Sequence, residues 1–234
     1  VGVRAAAKAQ WAQALGVADV DAPEPMRKAF FTALYHTLQA PSLFMDSDGR
    51  YRGPDNAVHQ AKGWTNHSTF SLWDTYRALH PLLTSVQPEQ RNNDIVQSLL
   101  AARRESPYGV LPVWAFHGQE TWCMIGYHAV PVIADAYMKG IRGYDANEAL
   151  DAMVASANYG PYDGIAQYRE LGYVPIDEED EAASKTLEYA FDDWTIHRVA
   201  QAMGRTDIAT EFGKRAANWT HAFDKDTGFM RARK

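Results

Sequence analysis

The chain has 234 residues, room for one large domain or two small ones, and its 46% apolar and 22% charged content is that of an ordinary globular protein. Disorder and coiled coil are excluded. With 23 Lys and Arg against 29 Asp and Glu, the net charge of −6 argues against nucleic acid or an anionic membrane surface as the main partner. One cysteine excludes a scaffold stapled by internal disulfides and leaves the compartment open.

Taken in chain order, VGVRAAAKAQWAQAL reads as an amphipathic helix rather than a signal peptide. Phe30, Leu34 and Leu38 recur at four-residue spacing and predict a helix from Pro25 to Gln39, stopped by Pro41. A polar loop, Asp46 to Lys62, follows. Ser68 to Leu83 and Glu89 to Arg103 are expected as the next helices, before a loop from Glu105 to Glu120. Thr121 to Gly140 is predicted to be a helix apolar nearly all round, kinked or delayed at Pro131, and Asn147 to Ala157 another. After a loop from Gly160 to Asp180, Ser184 is expected to cap the longest helix, ended after Met203 by Gly204, and Thr206 to Phe223 closes the set. Short β pieces fit at Tyr51-Arg52 or Leu111-Pro112-Val113. The expected class is all-α. Two helices apolar on several faces need neighbours on both sides, which a toroid of inner and outer helices provides. No solenoid repeat is visible. The longest apolar run, Cys123 to Met138, is broken by His128, Pro131 and Asp135 and is shorter than the ~20 residues of a membrane span.

The 7 Trp, 12 Tyr and 9 Phe often stand beside polar residues, as in Trp73-Asp74, Phe116-His117 and Tyr127-His128. That pairing suits a sugar, which offers apolar C–H faces and a rim of hydroxyls, although large helical cores also use aromatics. Asp74 falls near a helix start, where a carboxylate stays ionised and can accept from two vicinal hydroxyls; alternatively it serves the helix dipole or pairs with Arg77. Glu120 is expected at the start of the next helix between Trp114 and Trp122, either as a sugar-facing acid or as a first-turn helix acid. Glu188 and Asp192 share a helix face and need a cation, for which Lys185 is one candidate. Asp46-Ser47-Asp48-Gly49 lacks the glycine and closing Glu positions of a calcium loop and reads as a turn with two arginines at its exit. No histidine pair has zinc spacing, and Cys123 reads as a small core residue. Asn66-His67-Ser68 and Asn218-Trp219-Thr220 match the glycosylation sequon, a pattern that recurs by chance.

Longer runs carry a resemblance. TALYHTLQAPSLF (32–44), STFSLWDTYRALHPLL (68–83), SPYGVLPVWAFHGQETWCMIGYHAVPVIADAYMKGIRG (106–143), LGYVP (171–175), SKTLEYAFDDW (184–194) and TGFMR (227–231) resemble the catalytic domain of glycoside hydrolase family 92, calcium-dependent and mostly bacterial exo-α-mannosidases. The resemblance implies an N-terminal β-sandwich followed by an (α/α)6 toroid, of which residues 1–234 would be a part, the sandwich and the rest of the toroid lying outside. It implies removal of terminal α-mannose, α-1,2-linked by preference, with inversion, from a mannose-containing glycan such as an N-glycan.

By the same resemblance Asp74 contacts mannose hydroxyls, and Trp73, Glu120 and Trp122 are wall residues. The family's acid and base, expected in Tyr-Thr-Glu-Gly-Asn and Gly-Asn-Asp segments, have no counterpart here, so no catalytic residue is assigned and the chain alone is expected to be inactive. Calcium is expected in the whole enzyme, most of its ligands beyond Lys234, and the location is expected to be periplasmic or secreted. A partial toroid should expose an apolar edge, prone to self-association. Glu120 or Glu188 could be nominated as acid, but the family's role is not transferred to either; the competing readings are another toroidal carbohydrate enzyme with Glu120 or Asp192 as acid, and a non-catalytic helical glycan-binding module.

Overall fold

Pro25 lies in the first turn of a helix, where a missing N–H costs nothing, and this helix runs Glu24–Thr37 (α2) before the chain turns at Leu38 and Pro41. The computed structural model describes residues 2–234. Ahead of α2, Gly2–Leu15 (α1) is helical as expected, yet none of its residues is fully buried; Trp11 leans on Tyr35 of α2 with ring centroids 4.6 Å apart.

The fold is mostly helical, with small antiparallel ribbons of two strands. Ser42–Leu43 (β1) pairs with His67–Ser68 (β4), and Arg50–Arg52 (β2) with Val58–Gln60 (β3) in the register Tyr51 opposite His59. Tyr51-Arg52 is thus a strand as expected, and the Asp46–Gly49 segment is a turn in which Asp48 pairs with Arg50 at 2.7 Å. The segment 111–113 is not a strand; Ala115–Phe116 (β5) and Gln119–Glu120 (β6) are, closed by His117 and Gly118, both at positive φ as a tight hairpin turn requires.

The predicted helix 68–83 is broken in two. Leu72–Thr75 (α3) is a single turn, and Leu79–Val86 (α4) starts after Ala78 leaves helical geometry. Tertiary pulls cause the break: Tyr76 stacks on His128 and Arg77 is drawn to Glu188. Glu89–Glu105 (α5) agrees with expectation. The helix predicted from Thr121 begins only at Ala129 and runs to Met138 (α6), so Pro131 sits in its first turn. Ala146–Ala157 (α7) is capped by Asp145, whose carboxylate accepts from the Asn147 and Glu148 amides.

The loop expected over 160–180 contains a further helix, Ile165–Leu171 (α8), bracketed by Gly164 and Gly172 in left-handed geometry. The longest helix, Ala182–Ala202 (α9), starts two residues before Ser184, which does not cap it. Thr206–Arg215 (α10) gives way to a tighter 3-10 segment, Ala216–Ala222, so the last predicted helix is continuous only in part; Phe223–Asp224 (β7) and Phe229–Met230 (β8) end the chain.

As the apolar pattern requires, α6 packs against α4, α5, α7 and α9, while α9 packs against α6, α7 and α10. Leu83, Leu99, Ile133, Leu150, Met153, Ile165, Tyr168, Tyr189 and Phe212 are fully buried between them, each side chain worth about 1.5–3 kcal/mol of transfer. No described helix is long and apolar enough to cross a membrane.

Candidate functional site

Asp74 lies in the single turn α3, formed because the Asp74 and Thr75 amides both donate to the Ser71 carbonyl at 3.1 Å. Its side chain is exposed, and among the described residues its carboxylate accepts no hydrogen bond and joins no ion pair. Arg77, three residues on, turns to Glu188 of α9 instead (3.2 Å). Trp73 is half-buried and donates its indole N–H to the same Glu188 oxygen at 3.3 Å, while the Arg77 guanidinium lies over the Tyr76 ring, 4.6 Å from its centroid. An exposed carboxylate without a partner among the described residues thus stands in the chain between Trp73 and the Tyr76–Arg77 pair, both of which are turned to other contacts.

Glu120 is in the opposite condition. It sits on strand β6, not at a helix start, and four backbone amides converge on it. Oε2 accepts from Val113 at 2.7 Å; Oε1 accepts from Trp114 and Thr121 at 2.9 Å and from Trp122 at 2.8 Å. Its lone pairs are taken up by the loop it closes.

The loop needs this clamp because Trp122 and Met124 hold φ of 54° and 65°, a region costly for residues with a Cβ. Gly126 completes the bend; a Cβ there would fall 2.1 Å from the His128 ring. Trp122 stacks flat on Tyr159 (5.7 Å, 10°) and meets Tyr108 edge-on (5.0 Å, 75°). The partly open cavity lined by Glu105, Tyr108, Glu120 and Trp122 holds about 40 Å³, enough for water and too little for a hexose.

The two predicted segments run side by side, the Phe70 amide donating to the Ala115 carbonyl (2.9 Å) and the Gly118 amide to Ser68 Oγ (3.1 Å). Among the described residues, however, Trp73 and Asp74 make no hydrogen bond or ring contact with Glu120 or Trp122.

The cation for Glu188 and Asp192 is His128, not Lys185. His128 Nε2 lies 2.5 Å from Glu188 Oε2 and Nδ1 lies 2.9 Å from Asp192 Oδ1. Burial opposes a charged imidazole, but the two carboxylates outweigh it and raise His128 to about 9. Glu188 is also penalised by burial, and His128 and Arg77 together hold its carboxyl below the usual range. Burial pushes Asp192 up.

Beside this chain, Asp193 accepts from Tyr127 and Tyr168 hydroxyls at 2.9 Å each and from Arg215 Nε at 3.0 Å, and burial raises it to about 6. Lys185 is spent on Asp163 and Glu179. Sequence reasoning noted Tyr127-His128 only as an aromatic–polar pair suited to a sugar and gave Asp193 and Arg215 no role; the hint to the buried cation was the paired acids on α9.

Asn66 is buried and donates its amide to the Phe44 carbonyl at 3.0 Å, which removes it as a glycosylation acceptor. Cys123 is exposed rather than a core residue. Among the described residues no three His, Cys, Asp or Glu side chains are placed to hold a metal ion. An open groove of about 440 Å³ lies beside Arg77, between Tyr76, Pro131, Met138, Phe191 and Trp194.

A mostly helical domain that sets an unpartnered carboxylate between Trp73 and Tyr76 in the chain suits a sugar site. The profile of the glycosyl hydrolase family 92 catalytic domain matches residues 1–234, and the chain belongs to that family. Its fold is similar to the family GH92 α-mannosidase BT3965 of Bacteroides thetaiotaomicron, with 45% identity and a TM-score of 0.96 over 99% of this chain and 31% of that enzyme. The same enzyme in complex with mannoimidazole matches at 44% identity and a TM-score of 0.95, over 99% of this chain and 30% of that one. The family GH92 inverting mannosidase BT2199 of Bacteroides thetaiotaomicron matches at 36% identity and a TM-score of 0.85, over 98% and 32%. The chain therefore spans about a third of the length of these solved enzymes. No curated protein matches the sequence.

Proposed function

We propose that the chain is part of the catalytic toroid of an enzyme that hydrolyses terminal α-linked mannose, α-1,2-linked by preference, with inversion. In this reading Asp74 binds the sugar hydroxyls and Trp73 forms part of the wall beside it. The observation that carries it is the exposed, unpaired Asp74 carboxylate next to Trp73 and Tyr76, in a chain that belongs to family 92. The mannoimidazole complex of one similar enzyme and the inverting mechanism of another support it.

Inversion requires an acid and a base about 6.5–9.5 Å apart. The carboxyls here are poorly suited to the acid role: Glu120 is occupied by four amides, Glu188 is held ionised, and Asp192 is buried against His128. The proton-transfer pair is accordingly assigned to the rest of the enzyme, as are the β-sandwich, the remaining toroid helices and the calcium ligands. Among the described residues no three His, Cys, Asp or Glu side chains are placed to hold calcium. A bacterial periplasmic or secreted location and an N-glycan substrate accompany this proposal. Phe191, Trp194 and Met138, each more than two-fifths exposed around the open groove, support self-association of the isolated chain.

Asp74→Ala in the full-length enzyme is expected to abolish mannose release, read by a coupled mannose assay, and retained turnover would sink the assignment. Turnover by residues 1–234 alone would favour another toroidal enzyme, and tight calcium-free glycan binding by them would favour a binding module. Sedimentation of the isolated chain should show dimers or larger species.

A further inference from the structure

The wall that carries Asp74 cannot fix its own direction. α3 is a single turn without a side-chain cap, and a first helical turn is unfavourable unless tertiary contacts hold it. Those contacts come from α9, a helix of 21 residues clamped by α6, α7 and α10. One oxygen of Glu188 accepts from both Trp73 Nε1 (3.3 Å) and Arg77 Nη2 (3.2 Å), bracketing Asp74 from either side in sequence. The other oxygen is held by His128, which is held by Asp192, whose second oxygen accepts from the Tyr127 amide at 3.1 Å. Tyr76 lies flat on His128, centroids 4.0 Å apart and planes at 14°.

Side-chain exposure climbs along this chain from 0% at Asp192 and 1% at His128 to 16% at Glu188 and 51% at Arg77. The interior end is fully buried, and the outer end reaches the wall.

We propose that Glu188, backed by His128 and Asp192, is a positioning residue that sets the angle of the Trp73–Asp74 wall and thereby its grip on a terminal sugar. This rests on the reading that Asp74 contacts the sugar. Glu188 does not touch the substrate. It acts through Trp73 and Arg77, so its loss should weaken sugar binding in ground state and transition state alike and leave proton transfer intact.

The test is a set of variants in the full-length enzyme. Glu188→Gln keeps an oxygen for the Trp73 indole but loses the charge facing Arg77 and His128; Glu188→Ala loses both. KM for a terminal α-mannoside is expected to rise about 3-fold in Glu188→Gln and about 30-fold in Glu188→Ala, with kcat within about two-fold of the parent. Arg77→Ala leaves the buried histidine pair intact and covers the case in which Glu188→Ala fails to fold; its KM should rise about 5-fold at unchanged thermal midpoint.

KM within two-fold of the parent in Arg77→Ala and Glu188→Gln overturns the proposal. So does a loss of kcat and KM together that tracks lost stability, or a Glu188→Gln enzyme no better than Glu188→Ala. Asp74→Ala run in parallel separates the two readings. If it binds mannoside like the parent, the site assignment itself fails; if it alone loses binding, only the positioning role fails.

Discussion

Asp74 and Glu120 look alike in sequence, each an acid set among aromatics just ahead of an apolar run. In the fold they have opposite fates. Asp74 sits on a single exposed turn and its carboxylate is unpaired, whereas Glu120 gathers four backbone amides of a loop bent through left-handed conformations at Trp122 and Met124. The difference lies in what surrounds the acid in the backbone. A loop that leaves several N–H groups without carbonyl partners consumes a nearby carboxylate, and a turn whose amides are already satisfied by Ser71 leaves its acid free for something else.

The largest effect expected from this contrast is on stability. Glu120→Ala strands the amides of Val113, Trp114 and Trp122, while Thr121 keeps the Trp114 carbonyl at 3.3 Å; with about 1–3 kcal/mol per unsatisfied group, partly relieved by water, the loss should be about 4 kcal/mol. Urea unfolding of the 234-residue chain reads it directly, and Glu120→Gln, which keeps one acceptor oxygen, should fall between. A Glu120→Ala chain as stable as its parent would mean that the clamp is idle.

A second expectation sharpens the role of α9. His128 is raised to about 9 in the fold from the ordinary histidine value of 6.5. The folded state therefore holds this proton more tightly than the unfolded chain does. The associated stability is fully present below about pH 6.5 and is lost as pH rises through about 9; the two values correspond to about 3 kcal/mol. The urea midpoint should fall between pH 6 and 9.5 in the parent. In His128→Gln it should be lower throughout that range, since the two buried carboxylates then lack their cation. A flat parent profile would refute a charged His128.

Much of this was legible before the structure. The helices α2, α5 and α7 are amphipathic, and their periodicity located them, while α6, apolar nearly all round, and α9, apolar on more than one face, announced their packing between neighbours. The delayed start of α6 was legible at Pro131, but the break at 76–78 and the bend that fills 121–128 were not, because they are imposed from a distance. Arg77 leaves its own helix for Glu188, more than a hundred residues away, and Gly126 is required both by its φ of 88° and by the His128 ring that fills the space beside it. α8 was hidden because a seven-residue helix offers just two buried positions, Ile165 and Tyr168, too few for a periodic signal. Glu188 and Asp192 were recognised as needing a cation, but its identity depends on a strained loop that brings His128 between them. The Asp74 segment was found through its aromatic neighbours, and the fold leaves that acid unpaired.

The smallest expected effect is the most discriminating. Asp74→Ala removes an exposed carboxylate with no partner among the described residues, so its cost to folding should stay within about 0.5 kcal/mol, the ordinary range for surface substitutions. A modest gain is also consistent with the argument, since an ionised side chain held without a counter-charge has no stabilising contact to lose beyond the dipole of one helical turn. If Asp74→Ala instead lowers the urea midpoint as far as Glu120→Ala does, the carboxylate is structural after all and the distinction between the two acids collapses. An unchanged midpoint, paired with loss of mannose release in the full-length enzyme, would separate an acid used for binding from one used for folding.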